Sequence, residues 1–168
     1  MWHLRASTAI HSGNALIAAM LMSVLAQAAP CDDLVTVTRL RPDAAAYTLS
    51  SGIDEAGQFV VRNSDDWAAL WQRVHSRMRP VPPLPEVDFE RETMIVAAAG
   101  QRRTGGYSIR IDRAWREGTA TIIVVHAETP GSGCIVANAF TSAVDIARLP
   151  VTPGPIEFRL ESVARACD

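Results

Sequence analysis

The sequence predicts an α+β domain, a mostly antiparallel sheet with one main amphipathic helix packed on one face; a β-sandwich is the alternative. Three observations predict it. Met94 to Ala99 is apolar at every position, which fits a strand covered on both faces. Tyr107, Ile109 and Ile111 alternate with Ser108, Arg110 and Asp112, and Ile156, Phe158 and Leu160 alternate with Glu157, Arg159 and Glu161, as in strands with one wet face. Trp67, Leu70, Trp71, Val74 and Met78 recur at helical spacing, while Gln72, Arg73, Ser76 and Arg77 take the other face.

In chain order, Arg5, the apolar run Ala15 to Ala26 and the small-residue pattern Ala26-Gln27-Ala28 read as a secretory signal over residues 1–28. Residues 29–168 then form a single globular domain, periplasmic or secreted, with no transmembrane anchor after cleavage. In an oxidising compartment the three cysteines are disulfide candidates. Cys31 opens the mature chain and Cys167 nearly closes it, so the expected pair is Cys31 with Cys167, leaving Cys134 buried and free.

Asp32 to Arg41 reads as an edge strand ended by Pro42-Asp43. Tyr47 to Ile53 and Gln58 to Arg62 read as a ribbon joined by a hairpin loop at Asp54-Glu55-Ala56-Gly57. Asn63-Ser64-Asp65-Asp66 supplies side-chain acceptors and negative charge for a helix start, and Pro80 stops the helix after Met78. Pro80-Val81-Pro82-Pro83-Leu84-Pro85 is a stiff connector. Trp115 to Gly118 is expected to turn, Thr119 to Ala127 to form a second central strand, Cys134 to Thr141 to continue the sheet and Val144 to Leu149 to pair beside it, in a meander of neighbours.

Composition removes several function classes. A net charge of −2 on 168 residues gives no electrostatic pull toward nucleic acid. All 16 basic residues are Arg, so Schiff-base chemistry, a lysine general base and a Walker-type phosphate loop are excluded. Cys/His clusters at zinc spacing are absent, the runs Asp32-Asp33 and Asp65-Asp66 fit solvation and capping, and no metal or cofactor is expected. Past the signal only His75 and His126 remain as imidazoles; His75 is expected at the surface and His126 at the end of a buried strand, both as structural residues. A Cys134–His126 thiolate pair across one strand-to-strand turn is the remaining enzymatic alternative. The expectation is a protein without catalytic residues.

The informative stretch is Gly100 to Asp112, where the apolar run breaks into Gln101-Arg102-Arg103-Thr104-Gly105-Gly106-Tyr107 and resumes as a strand. Paired glycines make a tight reversal cheap, and two guanidiniums beside an aromatic form a contact surface, so Arg102, Arg103, Thr104, Gly105, Gly106 and Tyr107 are the candidate protein-binding residues. Together with Val87-Asp88-Phe89, the strand Met94 to Ala99 and the Pro130 to Cys134 turn, this stretch resembles the C-terminal domain of the PrcB family, the accessory subunit of a bacterial surface protease complex, over residues 87–149. The resemblance implies a non-catalytic exported accessory module that binds or stabilises a protease or other envelope protein. Family members are often lipoproteins; Pro30 before Cys31 departs from that pattern. Thr104-Gly105-Gly106-Tyr107 is also similar to the loop of chagasin-like cysteine-protease inhibitors, without their preceding Asn-Pro, which makes inhibition the alternative.

Overall fold

The apolar run Met94–Ala99 is covered on its two faces by different layers, and this decides the architecture. The computed structural model describes residues 33–40 and 50–167, all within the compact unit Cys31–Asp168. The expected signal, Cys31 and residues 41–49 lie outside the described residues. In chain order the elements are β1 (Asp33–Val35), β2 (Thr38–Arg39), β3 (Ala56–Val61), helix α1 (Ser64–Val74), β4 (Glu92–Arg102), β5 (Ser108–Glu117), β6 (Ala120–Pro130), β7 (Thr141–Pro150) and β8 (Ile156–Arg165). They build two four-stranded sheets, ordered β1-β5-β6-β8 and β2-β7-β4-β3. Every strand pair is antiparallel except β6 with β8.

Ile95, Ala97 and Ala99 of β4 join Ile109, Ile111, Ile123 and Val125 in the core between the sheets. Their neighbours Met94, Val96 and Ala98 face the other way, onto Trp67, Trp71 and Val74 of α1. The protein is therefore mostly β, a sandwich with one short helix laid on the outer face of the second sheet. The expected single sheet is corrected: a strand apolar on both faces needs two covers, and one 11-residue helix covers only one of them. The meander is corrected as well, because the connections β4–β5, β6–β7 and β7–β8 each pass from one sheet to the other.

α1 starts at the cap the sequence offers. Asn63 Oδ1 accepts the Asp66 N–H at 2.9 Å, and Asp65 and Asp66 sit in the positive first turn. It ends at Val74 rather than Met78 because Gly52 donates its N–H to the Val74 carbonyl at 2.9 Å, taking one of the free acceptors of the last turn. Residues 50–53 thus close the helix and do not form a ribbon with β3, which corrects the expected hairpin at 54–57. The indole N–H groups of Trp67 and Trp71 donate to the carbonyls of Pro85 and Pro82, at 3.1 and 3.0 Å, and hold the proline connector against the helix. His75 is buried, with Nδ1 2.9 Å from the Trp71 carbonyl, so its expected place at the surface is corrected.

The N-terminal chain changes sheets between β1 and β2. β1 pairs with β5 only as far as Val35 opposite Ala114, and β2 pairs with β7. Just past that end β5 carries a bulge between Ile111 and Arg113. There the Ile111 N–H donates to Asp145 Oδ2 at 2.7 Å, its carbonyl accepts from Arg39 Nη2 at 3.0 Å, and Arg39 Nε lies 3.4 Å from Asp145 Oδ2. A side-chain ion pair completes the ladder that no strand reaches.

Burial pushes the Asp145 carboxyl above its ordinary 3.8, against the lowering pull of the Ile111 N–H and Arg39. A raised folded pKa means the folded state holds this proton more tightly. Its favourable increment is full below 3.8 and is lost as pH rises through the folded value. Replacing Asp145 by Asn is expected to remove that slope, read as the difference between the two proteins in urea unfolding across a pH series. Asp145→Ala leaves the Ile111 N–H unsatisfied and is expected to lower stability by about 2–3 kcal/mol in the same assay.

Candidate functional site

The Thr-Gly-Gly-Tyr stretch is an arch between the sheets, since β4 lies in one sheet and β5 in the other. This corrects the expected tight reversal between neighbouring strands of one sheet. It begins at a bulge between Ala98 and Gly100, where Gly100 has φ +71° and a Cβ would lie 2.7 Å from the Ala56 nitrogen. A side chain at that position would collide with the start of β3. Gln101 then donates its N–H to the Asp54 carbonyl at 2.8 Å, tying the end of β4 to the segment before β3.

The middle of the arch is held from the 131–140 loop and from β7. Thr141 Oγ1 donates to the Thr104 carbonyl at 2.8 Å, and the buried Gly105 donates its N–H to the Ala137 carbonyl at 2.8 Å. Gly106 has φ +88°, and a Cβ there would sit 2.7 Å from Val136 Cγ1. The glycines serve close packing as well as turning. Beside them Arg102 and Arg103 are exposed, and the Arg102 guanidinium stands 5.4 Å from the centre of the Tyr107 ring. The structure thus brings Arg102 and Tyr107 together, leaves Arg103 in solvent, and withdraws Gly105 from the surface. Below them, between the sheets, lies a cavity of about 120 Å³ lined in part by Ala98, Ala99, Tyr107, Leu160 and Ser162.

The loop that supports the arch is itself pinned. Cys134 is bonded to Cys167, and the Gly131 N–H donates to the Arg165 carbonyl at 3.0 Å. The expected pair Cys31–Cys167 is corrected, as is the buried free Cys134: the end of β8 runs beside the 131–134 turn because β8 pairs in parallel with β6 as far as Pro130 opposite Arg165. Residues 134–140 form this loop rather than the expected strand. Bonded sulfur has no thiolate to offer, so the Cys134–His126 pair is overturned too.

His126 lies on the outer face of the first sheet, where sequence reading did not find a cluster. Its Nε2 is 3.0 Å from Glu161 Oε2, and Arg113 bridges Glu161 and Asp112, each at 2.9 Å. Arg110 also reaches Asp112, at 2.7 Å. The signal was present in the alternation of Arg110 and Asp112, and of Arg159 and Glu161, but the register that joins them was not. These exposed pairs neutralise one another and contribute little stability. Among the described residues no group of His, Cys, Asp or Glu is arranged to hold a metal, and no helix is long and apolar enough to cross a membrane.

Residues 93–150, the stretch from β4 to β7 that includes the arch, match the PrcB C-terminal family, so the resemblance seen in the sequence holds over that stretch. Comparison with curated proteins and with solved structures gives no match.

Two outcomes check this geometry. A non-reducing digest is expected to yield a peptide pair joined through Cys134 and Cys167; a link from Cys31 to either would contradict it. Gly106→Ala, which forces positive φ on a residue with a Cβ pressed against Val136, is expected to cost about 1–3 kcal/mol in thermal or urea unfolding.

Proposed function

We propose that this protein is a non-catalytic, exported accessory module, periplasmic or secreted, that binds or stabilises a protease or another envelope protein through the Arg102–Tyr107 arch. The observation that carries the reading is the match of residues 93–150 to the PrcB C-terminal family, because that stretch contains the arch, the strands it joins and the loop that braces it. The chemistry of the arch supports it. Arg102 and Arg103 form no ion pair with a carboxylate among the described residues, and Tyr107 adds aromatic area at low entropic cost, so an acidic, partly apolar surface is its complement. The backbone beneath them is fixed before binding, which reduces the ordering cost of association.

Inhibition in the chagasin manner has less support. A loop that enters a protease cleft presents its tip, whereas Gly105 here is buried and bonded to Ala137. Lateral contact through Arg102, Arg103 and Tyr107 suits this geometry better.

The experiment compares the wild-type chain with a variant carrying Arg102→Ala, Arg103→Ala and Tyr107→Ala, each used as bait in envelope extracts and read by mass spectrometry. A protease or protease-complex protein is expected with the wild type and lost with the variant, both baits having the same circular dichroism. If the variant keeps every partner, the arch is not the contact surface.

A further inference from the structure

We propose that the free edge of β8 is a self-pairing surface, through which two copies of this chain join antiparallel to make one continuous sheet. The inference stands on the edge itself and is independent of the arch. Among the described residues β8 ends the order β1-β5-β6-β8, runs ten residues, and pairs with β6 without a register shift. Edges are commonly blunted by short length, proline, a bulge or charged side chains; the interior of β8 has no proline or bulge, and its charges Arg159 and Glu161 are paired within their own sheet. The opposite edge of the sheet, β1, is only three residues long.

The ladder fixes which groups are free. The Thr121 N–H donates to the Pro155 carbonyl and the Gly131 N–H to the Arg165 carbonyl, so odd-numbered residues of β8 turn their backbone groups to β6. In a parallel ladder the alternate residues then point theirs away, which makes Phe158, Leu160, Ser162 and Ala164 the donors and acceptors of the open edge. Leu160 on the inner face is 56% exposed and Val163 on the outer face 53%, apolar area on each face that a further strand could bury.

Charge selects the occupant and the register. Arg159 and Glu161 lie on the outer face, Arg159 against Trp115 and Glu117, Glu161 against Arg113 and His126. Phe158 and Leu160 face the inside. If Leu160 of one copy sits opposite Leu160 of the other, Arg159 of each copy lies opposite Glu161 of its mate. The two charged outer-face pairs are then complementary, and residues 156–164 pair throughout. Centring on Arg159 places Arg159 opposite itself and Glu157 opposite Glu161; centring on Glu161 places that carboxylate opposite itself. A further shift that matches Glu157 with Arg159 leaves only residues 156–160 paired. A second copy of this strand is therefore its own complement in one register.

Sedimentation velocity of the full chain over a concentration series tests this. The wild type is expected to dimerise. Arg159→Glu and Glu161→Arg are each expected to weaken dimerisation about tenfold or more, and the double reversal to restore it, because cross-strand like charges repel and swapped ones attract. Circular dichroism checks that each variant is folded. Independently, Leu160→Cys in a Cys31→Ser background is expected to give a covalent dimer on mild oxidation, and Ser162→Cys is not, since directly opposed strand residues come within disulfide reach. A wild type monomeric at every concentration, one that pairs only with a strand of another protein, a dimer indifferent to the charge reversals, or cross-linking at 162 in place of 160 would each overturn the proposal.

Discussion

The structure depends on how β5 is completed past the end of β1. The first strand of the described chain leaves one sheet for the other after Val35, and the Ile111 peptide would be left at a buried seam without partners. Arg39 and Asp145 supply them, one from each of the two strands that the crossover brings together, β2 and β7. An unsatisfied buried peptide costs more than a made hydrogen bond gains, so this pair defends the join between the sheets more than it adds stability of its own. Its charge is the exception that burial tolerates: Asp145 is kept ionisable by an N–H donor and a guanidinium, against a desolvation that favours its proton.

The same seam explains what was legible in the sequence and what was not. Strand positions were readable wherever alternation or a full apolar run encoded them, as in Met94–Ala99 and Ile156–Glu161, and the helix start was readable because Asn63 and two aspartates encode a cap. Sheet membership was not, because the same alternation serves β5 in either sheet. The apolar run at β4 announced two covered faces, yet it did not say that one cover would be another sheet. The helix end at Val74 depends on Gly52, distant in sequence, and no local signal carries it.

At the candidate site, the residues were legible and their roles only in part. Two glycines in a row read as a turn, but Gly105 and Gly106 also make room for Ala137 and Val136, a packing demand that comes from the 131–140 loop. The disulfide was misassigned for a related reason. Chain ends suggested Cys31 as the mate of Cys167, whereas the parallel pairing of β6 and β8 carries Cys167 to Cys134. A parallel pair between strands separated by β7 is a long-range choice that periodicity does not express.

That bond gives the arch its character. Cys134 to Cys167 closes a loop of 33 residues in sequence separation, which in the chain-entropy account contributes roughly 3–4 kcal/mol. The loop so closed includes residues 134–140 and β7, which supply the Ala137 carbonyl to Gly105 and the Thr141 hydroxyl to Thr104. The restraint therefore passes from the disulfide to the arch through Ala137 and Thr141, and ends at the backbone that carries Arg102, Arg103 and Tyr107. In the proposed contact, cations on a floor braced in this way would lose little main-chain freedom. Their contribution to binding then depends on the charge and shape they face, which is the condition for a contact that discriminates between partners.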